Sequence, residues 1–374
     1  MAHAYTPGLR VTGKTVITKR RILPLKGDVL KKKGEVVNRG DVVARTELPG
    51  NVEILNVISQ VGVEASEIES VMLKKVGEKV TKGEVVAETK GLWGLFKSRA
   101  FSPIDGSIES ISQITGQVLL RHPPIPVEIK AYISGKVTEV IEGEGVDVQV
   151  PATFVQGIFG IGGEVWGPLQ FAVDNPEAVL DAKQLKSEMK GAIVIGGAFA
   201  SHAVIKRAIE LGIAGLVVGG IHDEDLRQIL GYDLGVAITG TEKVGLTLVL
   251  TEGFGRIRMS DRTWKTLKKR EGEIASISGA TQIRAGVMRP EIIIPYDKDE
   301  GGEEAAAEAG SVMEIGSNVR IIRQPDFGRV GTVHALPHEL QKVESETAAR
   351  VLEVAFDDGT TRIVPRANIE LIEE

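Results

Sequence analysis

Short apolar runs separated by glycine-containing turns recur along most of the chain, and many of them alternate apolar with polar residues. Alternation with a period of two between turn residues is typical of β-strands. The middle of the chain differs, because continuous apolar strands alternate there with helical patterns. The pattern predicts a multidomain, mainly β protein with a central α/β domain and a β module on each side of it.

An internal repeat organises the first part of the chain. Residues 31–46 read KKKGEVVNRGDVVART and residues 74–89 read KKVGEKVTKGEVVAET, with ten of sixteen aligned positions identical at an offset of 43. Because the glycines keep the same spacing, each copy is predicted to form a strand, a tight turn and a second strand. We therefore expect residues 1–150 to form one compact domain, in which a pseudo-two-fold axis relates the two copies.

The repeat resembles the barrel-sandwich hybrid fold of biotinyl and lipoyl carrier domains, which recurs in electron-transport subunits and in large RNA polymerase subunits. The resemblance covers residues 20–150 and implies a hairpin tip near 46–50 or 89–94, where carriers attach a cofactor to a lysine. Lys90 is the weak candidate at the second tip, since its neighbours depart from the carrier pattern. A solvated turn lysine is the favoured interpretation, and no cofactor is expected.

A loop rich in large apolar residues follows that lysine and reads Gly91-Leu92-Trp93-Gly94-Leu95-Phe96. Two interpretations stay open for it. Trp93 and Phe96 either fold back as a lid on the local core or anchor a partner. The chain holds only three tryptophans, and the lid is the favoured interpretation.

Residues 151–296 are predicted to form the α/β domain. Its expected elements are strands at 192–197, 213–220, 236–239 and 247–250, and helices at 202–211, 223–230 and 262–270. Ser201 and Gly212 are the expected caps of the first helix. The glycine cluster at 157–163 lacks a following helix and a G-K-[ST] ending, so we interpret it as a turn cluster rather than a phosphate loop.

His202 is the candidate catalytic residue of this domain. The glycine pair 196–197, then Ser201-His202-Ala203 and the apolar strand beyond, are similar to the mobile phosphohistidine domain of phosphoenolpyruvate-utilising enzymes. The resemblance implies phosphate transfer through His202, but the spacing departs from that family in two places. A histidine that only begins a helix is the alternative. His222 also follows a strand at a helix start, where α/β domains tend to place their sites.

Residues 297–311 read DKDEGGEEAAAEAGS and hold six acids and one base. Self-repulsion and the lack of large apolar side chains predict a flexible linker there. Residues 312–374 form the last predicted module.

The last module resembles the KOW motif of SH3-like barrels in ribosomal proteins and transcription elongation factors. The resemblance rests on GSNVRII at 316–322, Phe327-Gly328 and Gly331-Thr332-Val333, followed by a hairpin with an Asp-Gly turn at 358–359. It implies alternation of Val319, Ile321 and Val333 toward the core. Such barrels bind RNA or protein, and three arginines around the turn are the expected partner-binding residues: Arg320, Arg323 and Arg329.

Charge and composition exclude several functions. The formal charge of −6 argues against a basic coat for nucleic acid, and the absence of cysteine excludes disulfides and thiolate metal sites. His334 and His338 are four apart, but Pro337 prevents a regular helix between them, so no metal site is predicted.

Two basic clusters remain to be explained. Residues 10–33 hold nine basic residues against one acid, and Lys265, Lys268 and Lys269 share a helix face. Such clusters suit phosphates or a partner, although solvated faces are the ordinary interpretation. Because no apolar run reaches about 18 residues and the start lacks a signal-like core, no membrane span is predicted and the cytoplasm is the expected compartment.

The leading hypothesis is a non-catalytic, cytoplasmic modular adaptor that binds a large protein assembly, with the transcription or translation machinery as candidates and nucleic acid left open. The first alternative is a phosphotransfer or ligand-binding enzyme centred on His202. The second is a subunit of a redox complex, since electron-transport proteins use the same N-terminal fold. The oligomeric state is not predicted.

Overall fold

A computed structural model describes residues 9–91, 96–231, 242, 244–281, 288–296, 313–321, 326, 328–337, 339–342 and 348–371. The protein is mainly β, with several sheets and a half-barrel. The following features named in the sequence analysis lie outside the described residues: Trp93, the strand at 236–239, the linker at 297–311, Arg323, Phe327 and His338.

The N-terminal part is built from short strands between glycine turns, as the repeat predicts. Its elements, in chain order, are β1 (Val11–Ile22), β2 (Asp28–Val29), β3 (Val36–Val37), β4 (Val42–Leu48), β5 (Val52–Asn56), α1 (Val57–Val61), α2 (Ile68–Val71), β6 (Lys79–Val80), β7 (Val85–Glu88), β8 (Arg99–Phe101), β9 (Gly106–Ile111), β10 (Gln117–Arg121), β11 (Ile125–Lys130), β12 (Gly135–Ile141) and β13 (Gly145–Gln156).

The second copy of the repeat is nested inside the first module. Strand β4 pairs with β11. Strand β5, which follows β4, pairs with β10, which precedes β11. Both pairs join the same two chain segments, so everything between β5 and β10 is an insertion between the paired strands β4 and β11. The two copies contribute to different apolar cores: Val37 and Val43 of the first copy lie in one, whereas Val80 and Val86 of the second lie in another.

The first turn of each copy nevertheless has the same backbone geometry, whereas the second turns differ, since Gly83 has a φ of 83° and its equivalent Gly40 has no positive φ. Gly34 and Gly77 have φ of 88° and 86°, a left-handed conformation that favours glycine. The Gly34 amide donates to the Val137 carbonyl at 2.7 Å, and the Gly77 amide donates to the Ile108 carbonyl at 2.8 Å. The repeated sequence therefore specifies the same turn twice, against two different strands.

The central part combines parallel strands and helices. Its elements are β14 (Phe159–Ile161), β15 (Glu164–Phe171), β16 (Ile193–Ile195), α3 (His202–Leu211), β17 (Gly215–Ile221), α4 (Asp223–Leu230), β18 (Thr247–Phe254), α5 (Asp261–Lys268), β19 (Ile274–Ser278) and β20 (Glu291–Pro295).

Strands β15 to β18 are parallel neighbours, as continuous apolar strands with helical crossovers predict. The sheet then continues through β19 and β20 to β13 of the N-terminal part. Strand β13 also runs through the expected boundary at residue 150, so the two parts share one sheet.

The C-terminal part is a separate antiparallel sheet with its own apolar core. It contains β21 (Asn318–Ile321), β22 (Val330–Ala335), β23 (Leu340–Lys342), β24 (Ala348–Ala355), β25 (Thr361–Pro365) and β26 (Ile369–Leu371). Strand β21 pairs with β22 and with β26. The expected Asp-Gly turn joins β24 to β25, with Gly359 at φ 78°.

Candidate functional site

The carboxyl ends of β16, β17 and β18 meet at one edge of the central sheet, and the two candidate histidines lie there. Helix α3 begins at His202 directly after the β16 loop, and His222 is the N-cap residue of α4 after β17. The predicted limits of both helices are confirmed, and Gly212 ends α3 in the left-handed conformation at φ 70°. This edge is where α/β domains place ligands, so we consider it first.

The two histidines have different surroundings. His202 is half-buried, and the first turn of α3, all of it described, carries no acidic residue. Ser201 is the N-cap residue of α3, as expected, although its hydroxyl makes no capping hydrogen bond among the described residues. His222 is exposed, with its ring 4.7 Å from that of Phe199, and three acids follow it. Those acids suit the helix dipole but repel an anion.

Protein backbone fills the edge between the two histidines and β18. A Cβ atom at Gly219 would lie 2.1 Å from the Ile257 carbonyl oxygen, and one at Gly220 would lie 2.2 Å from that of Gly255. The loop after β18 therefore packs directly on these glycines. The glycines serve close backbone packing rather than the approach of a phosphate.

The C-terminal part covers the end of β18. The Phe254 amide donates to the Gly328 carbonyl at 3.4 Å. Beside this contact, the Arg320 guanidinium donates to the Glu252 carboxylate at 2.9 Å and to that of Glu370 at 3.4 Å. Arg289 completes the cluster with a 2.9 Å hydrogen bond to Glu370.

These four side chains form a buried, charge-balanced network between the central and C-terminal parts. The side chains of Arg320, Glu252 and Glu370 are 3%, 6% and 0% exposed, and that of Arg289 is 12% exposed. The second oxygen of Glu252 accepts the Ser260 amide at the start of α5, at 2.9 Å. The Arg320 Nε atom has no hydrogen-bond partner within the described structure. The sequence analysis missed this network.

The expectation that Arg320 is an exposed partner-binding residue is wrong. One face of β21 packs on the core of its own sheet and the other on β18, so Arg320 is enclosed. Arg329 keeps a side chain that is 33% exposed, paired with Asp326 and Asp358 at 3.0 and 2.8 Å and stacked on the Phe356 ring. Partner binding by Arg329 remains a prediction.

The basic helix face is exposed and already partly paired. Lys265 lies 3.6 Å from Asp261, and Lys268 pairs with Glu271 at 2.8 Å and lies over the Phe171 ring. Lys269 is exposed at the C-cap of α5. The cluster at 10–33 is likewise paired in part, since three basic residues of β1 bond to acids: Lys19 to Glu291, Arg20 to Asp147 and Arg21 to Glu164.

The tip of the nested module is the β7–β8 hairpin. The Thr89 amide donates to the Ser98 carbonyl at 3.0 Å and closes the loop. Lys90 is exposed on this turn, and Phe96 is 91% exposed with φ of 60°. The lid interpretation is therefore wrong for Phe96, since its ring faces water. The other expected tip, at 46–50, leads into the nested module and is no free hairpin.

Tyr132 is a strained buried residue that the sequence analysis also missed. Its side chain is 1% exposed, its φ is 69°, and its hydroxyl has no partner among the described residues. Burial, reinforced by Glu291 and Glu164, raises its pKa well above the ordinary value. Its backbone carbonyl accepts the Ser276 hydroxyl at 2.7 Å, which ties the first module to β19.

Comparisons with known proteins assign no family. No protein-family model matches the chain. No curated protein matches it either. In the described part of the chain, no three His, Asp or Glu side chains are grouped as a metal ion requires. None of the helices described combines the length and apolar character that a membrane crossing needs.

Proposed function

We propose that this protein is a non-catalytic modular scaffold that binds a large macromolecular assembly through the tip of its nested module. We assign the repeat-containing part to the barrel-sandwich hybrid fold and the C-terminal part to an SH3-like barrel of the KOW type. The matched turns at Gly34 and Gly77 support the first assignment. The strand order around β21, which pairs with both β22 and the last strand β26, supports the second.

The observation that carries the proposal is the exposure of Phe96. A large aromatic side chain 91% exposed at the end of a hairpin loses the free energy that burial would provide. Its left-handed φ adds a backbone cost of about 1 kcal/mol or more. A partner that buries the ring recovers the free energy of burial, and aromatic anchors of this kind dominate many protein interfaces.

Nesting explains why the tip is accessible. The paired strands β4 and β11, and then β5 and β10, connect the first module to the inserted second module. Phe96 belongs to the inserted segment, whose apolar core is separate from that of the central sheet. The transcription and translation machinery are the assemblies that the C-terminal resemblance favours.

The proposal is tested by cross-linking and purification of the tagged full-length chain from its native cells. We expect one defined assembly to copurify with the wild type and to be lost with Phe96→Ser. Ile114→Ser is the matched control, because Ile114 is 92% exposed in another loop of the same module. Retention of the assembly by Phe96→Ser, or equal loss with both variants, contradicts the proposal.

Phosphate transfer through His202 is the second candidate function, and the acid-free start of α3 favours it. A phosphorylated His202 would benefit from the positive end of the α3 dipole. Labelled phosphoenolpyruvate or ATP with cell extract should then give an acid-labile, base-stable label that disappears in His202→Ala. We expect no label, since the scaffold is the leading proposal.

A further inference from the structure

Strand β5 is an unprotected edge. It lies at the end of a four-stranded sheet and pairs with β10 alone. The backbone groups of residues 52–55 have no recorded hydrogen bonds to any other segment in the described structure. An edge of this kind offers a row of unpaired amides and carbonyls to another extended chain.

The side chains of β5 are also placed for a partner. Leu55 points into the core of the nested module at 5% exposure, whereas Val52 and Ile54 on the opposite face are 43% and 60% exposed. On the neighbouring strand, Leu119 lies opposite Ile54 and is only half-buried. The outer face of the sheet thus carries an apolar row that ends at the edge.

Other edge strands of five residues or more in the described structure are protected against pairing. Strand β1 carries Lys19 and other basic residues and is interrupted by a bulge. Strand β11 contains Pro126 and ends in Lys130, and β25 contains Arg362 and ends in Pro365. Proline, bulges and charged side chains, lysine above all, are ordinary devices that prevent edge pairing.

Strand β5 reads Val-Glu-Ile-Leu-Asn and has no proline, no basic side chain and no bulge. Its one charged side chain, Glu53, lies 3.6 Å from His122, and by alternation it shares the face of Leu55 rather than that of Val52 and Ile54. Its register with β10 runs without a shift from Asn56 to Val52. A regular edge whose outer face is apolar, in a protein whose comparable edges carry proline, basic residues or a bulge, indicates that pairing at this edge is used.

We propose that β5 binds an extended segment of a partner protein, which adds to the sheet as a further strand. The segment has apolar side chains at alternating positions, where they lie beside Val52 and Ile54 and extend the row begun by Leu119. This inference rests on the proposed scaffold function and names a second way in which a partner is held.

The size of the edge decides between a peptide and a second copy. Five residues of strand span roughly 17 Å, which one short extended segment fills. A stable dimer needs about 1,200–2,000 Å² of buried surface in total, and a five-residue strand pair supplies much less. The edge therefore fits a flexible partner segment better than the face of another subunit.

The experiment selects peptides from a displayed library of random dodecapeptides on the full-length protein. We expect enriched sequences with apolar residues at alternating positions, and synthetic versions should bind at least tenfold more weakly to Ile54→Lys. Hydrogen exchange should show that the bound peptide protects residues 52–56. Ile125→Lys is the matched control, because Ile125 is 50% exposed on an edge that already carries Pro126.

Three outcomes of the peptide experiment overturn the inference, and a fourth comes from the oligomeric state. The library yields no enriched sequence, the peptides bind Ile54→Lys as tightly as wild type, or protection appears outside β5. Concentration-dependent dimers that Ile54→Lys abolishes would assign the edge to a second copy and overturn it as well. Val52→Lys repeats the test if Ile54→Lys unfolds. Copurification of an assembly that depends on Phe96 would leave the scaffold proposal standing in each case.

Discussion

Replacing Arg320 by leucine should destabilise the C-terminal sheet strongly. The substitution leaves Glu252 and Glu370 buried without the guanidinium between them, and only Arg289 remains to pair with Glu370. Breaking a buried ion pair by removing one partner typically costs about 3–5 kcal/mol, because the remaining charge is uncompensated. The exposure of these side chains, 6% or less, places Arg320 in that class.

Hydrogen exchange measures this effect locally, which matters because a chain with several cores need not unfold in one step. A loss of about 3–5 kcal/mol corresponds to exchange between roughly a hundredfold and several-thousandfold faster, at tenfold per 1.4 kcal/mol. We expect that acceleration for the amides of β21 and β26, and little change in β9 and β10 of the nested module.

Arg329→Leu is the comparison, since Arg329 is one-third exposed and its partners reach solvent. It should cost at most about 1 kcal/mol. A double variant, Arg320→Leu with Glu252→Gln, should recover part of the loss because one buried charge is removed. If exchange in β21 accelerates less than tenfold in Arg320→Leu, or as little as in Arg329→Leu, the buried network does not hold the two parts together.

Three further predictions follow from single residues. Tyr132→Phe should leave thermal stability unchanged or slightly raised, because the buried hydroxyl it removes has no partner among the described residues. Gly34→Ala and Gly77→Ala should each lower the free energy of urea unfolding by about 1–2 kcal/mol, because both glycines have φ near 87° and nothing lies within 4 Å of the added Cβ. A much larger loss at one of them would contradict the equivalence of the two turns. The Arg20 guanidinium lowers the pKa of Asp147 through hydrogen bonds of 2.8 and 2.9 Å. That pairing should stabilise the fold above the ordinary aspartate pKa near 4, and its contribution should be lost as the pH falls through the lowered pKa. The free energy of unfolding should therefore depend less on pH below pH 4 in Asp147→Asn than in the wild type. The same pH dependence in both proteins would refute a stabilising Arg20–Asp147 pair.

Local features of the fold were predictable from the sequence, because they depend on neighbouring residues. The glycine spacing of the repeat predicted the turns at Gly34 and Gly77, and Gly212 predicted the end of α3. The nesting of the second copy was not predictable in this way. It depends on the pairing of β4 with β11, which joins residues such as Thr46 and Val127 across the whole inserted module.

The candidate histidines were found from their place at helix starts, but the sequence could not show what fills the edge beside them. In the sequence alone, Gly219 and Gly220 are equally consistent with a phosphate-binding loop and with close packing of backbone. Only the position of the loop at 255–257, against both glycines, distinguishes the two. The same limit applies to Phe96, whose exposure depends on what surrounds the hairpin.

Arg320 shows why alternation fails as a guide to burial at a junction between two parts of a chain. In Asn-Val-Arg-Ile, period two predicts Val319 and Ile321 inside and Arg320 outside, and a strand with one solvent face would obey it. Strand β21 has no such face: Val319, Arg320 and Ile321 are 0%, 2% and 2% exposed. The face that alternation assigns to water packs on Glu252, a buried acid at the end of a strand nearly seventy residues earlier. A charged residue on that face needs a partner of opposite sign, and the two acids supply it.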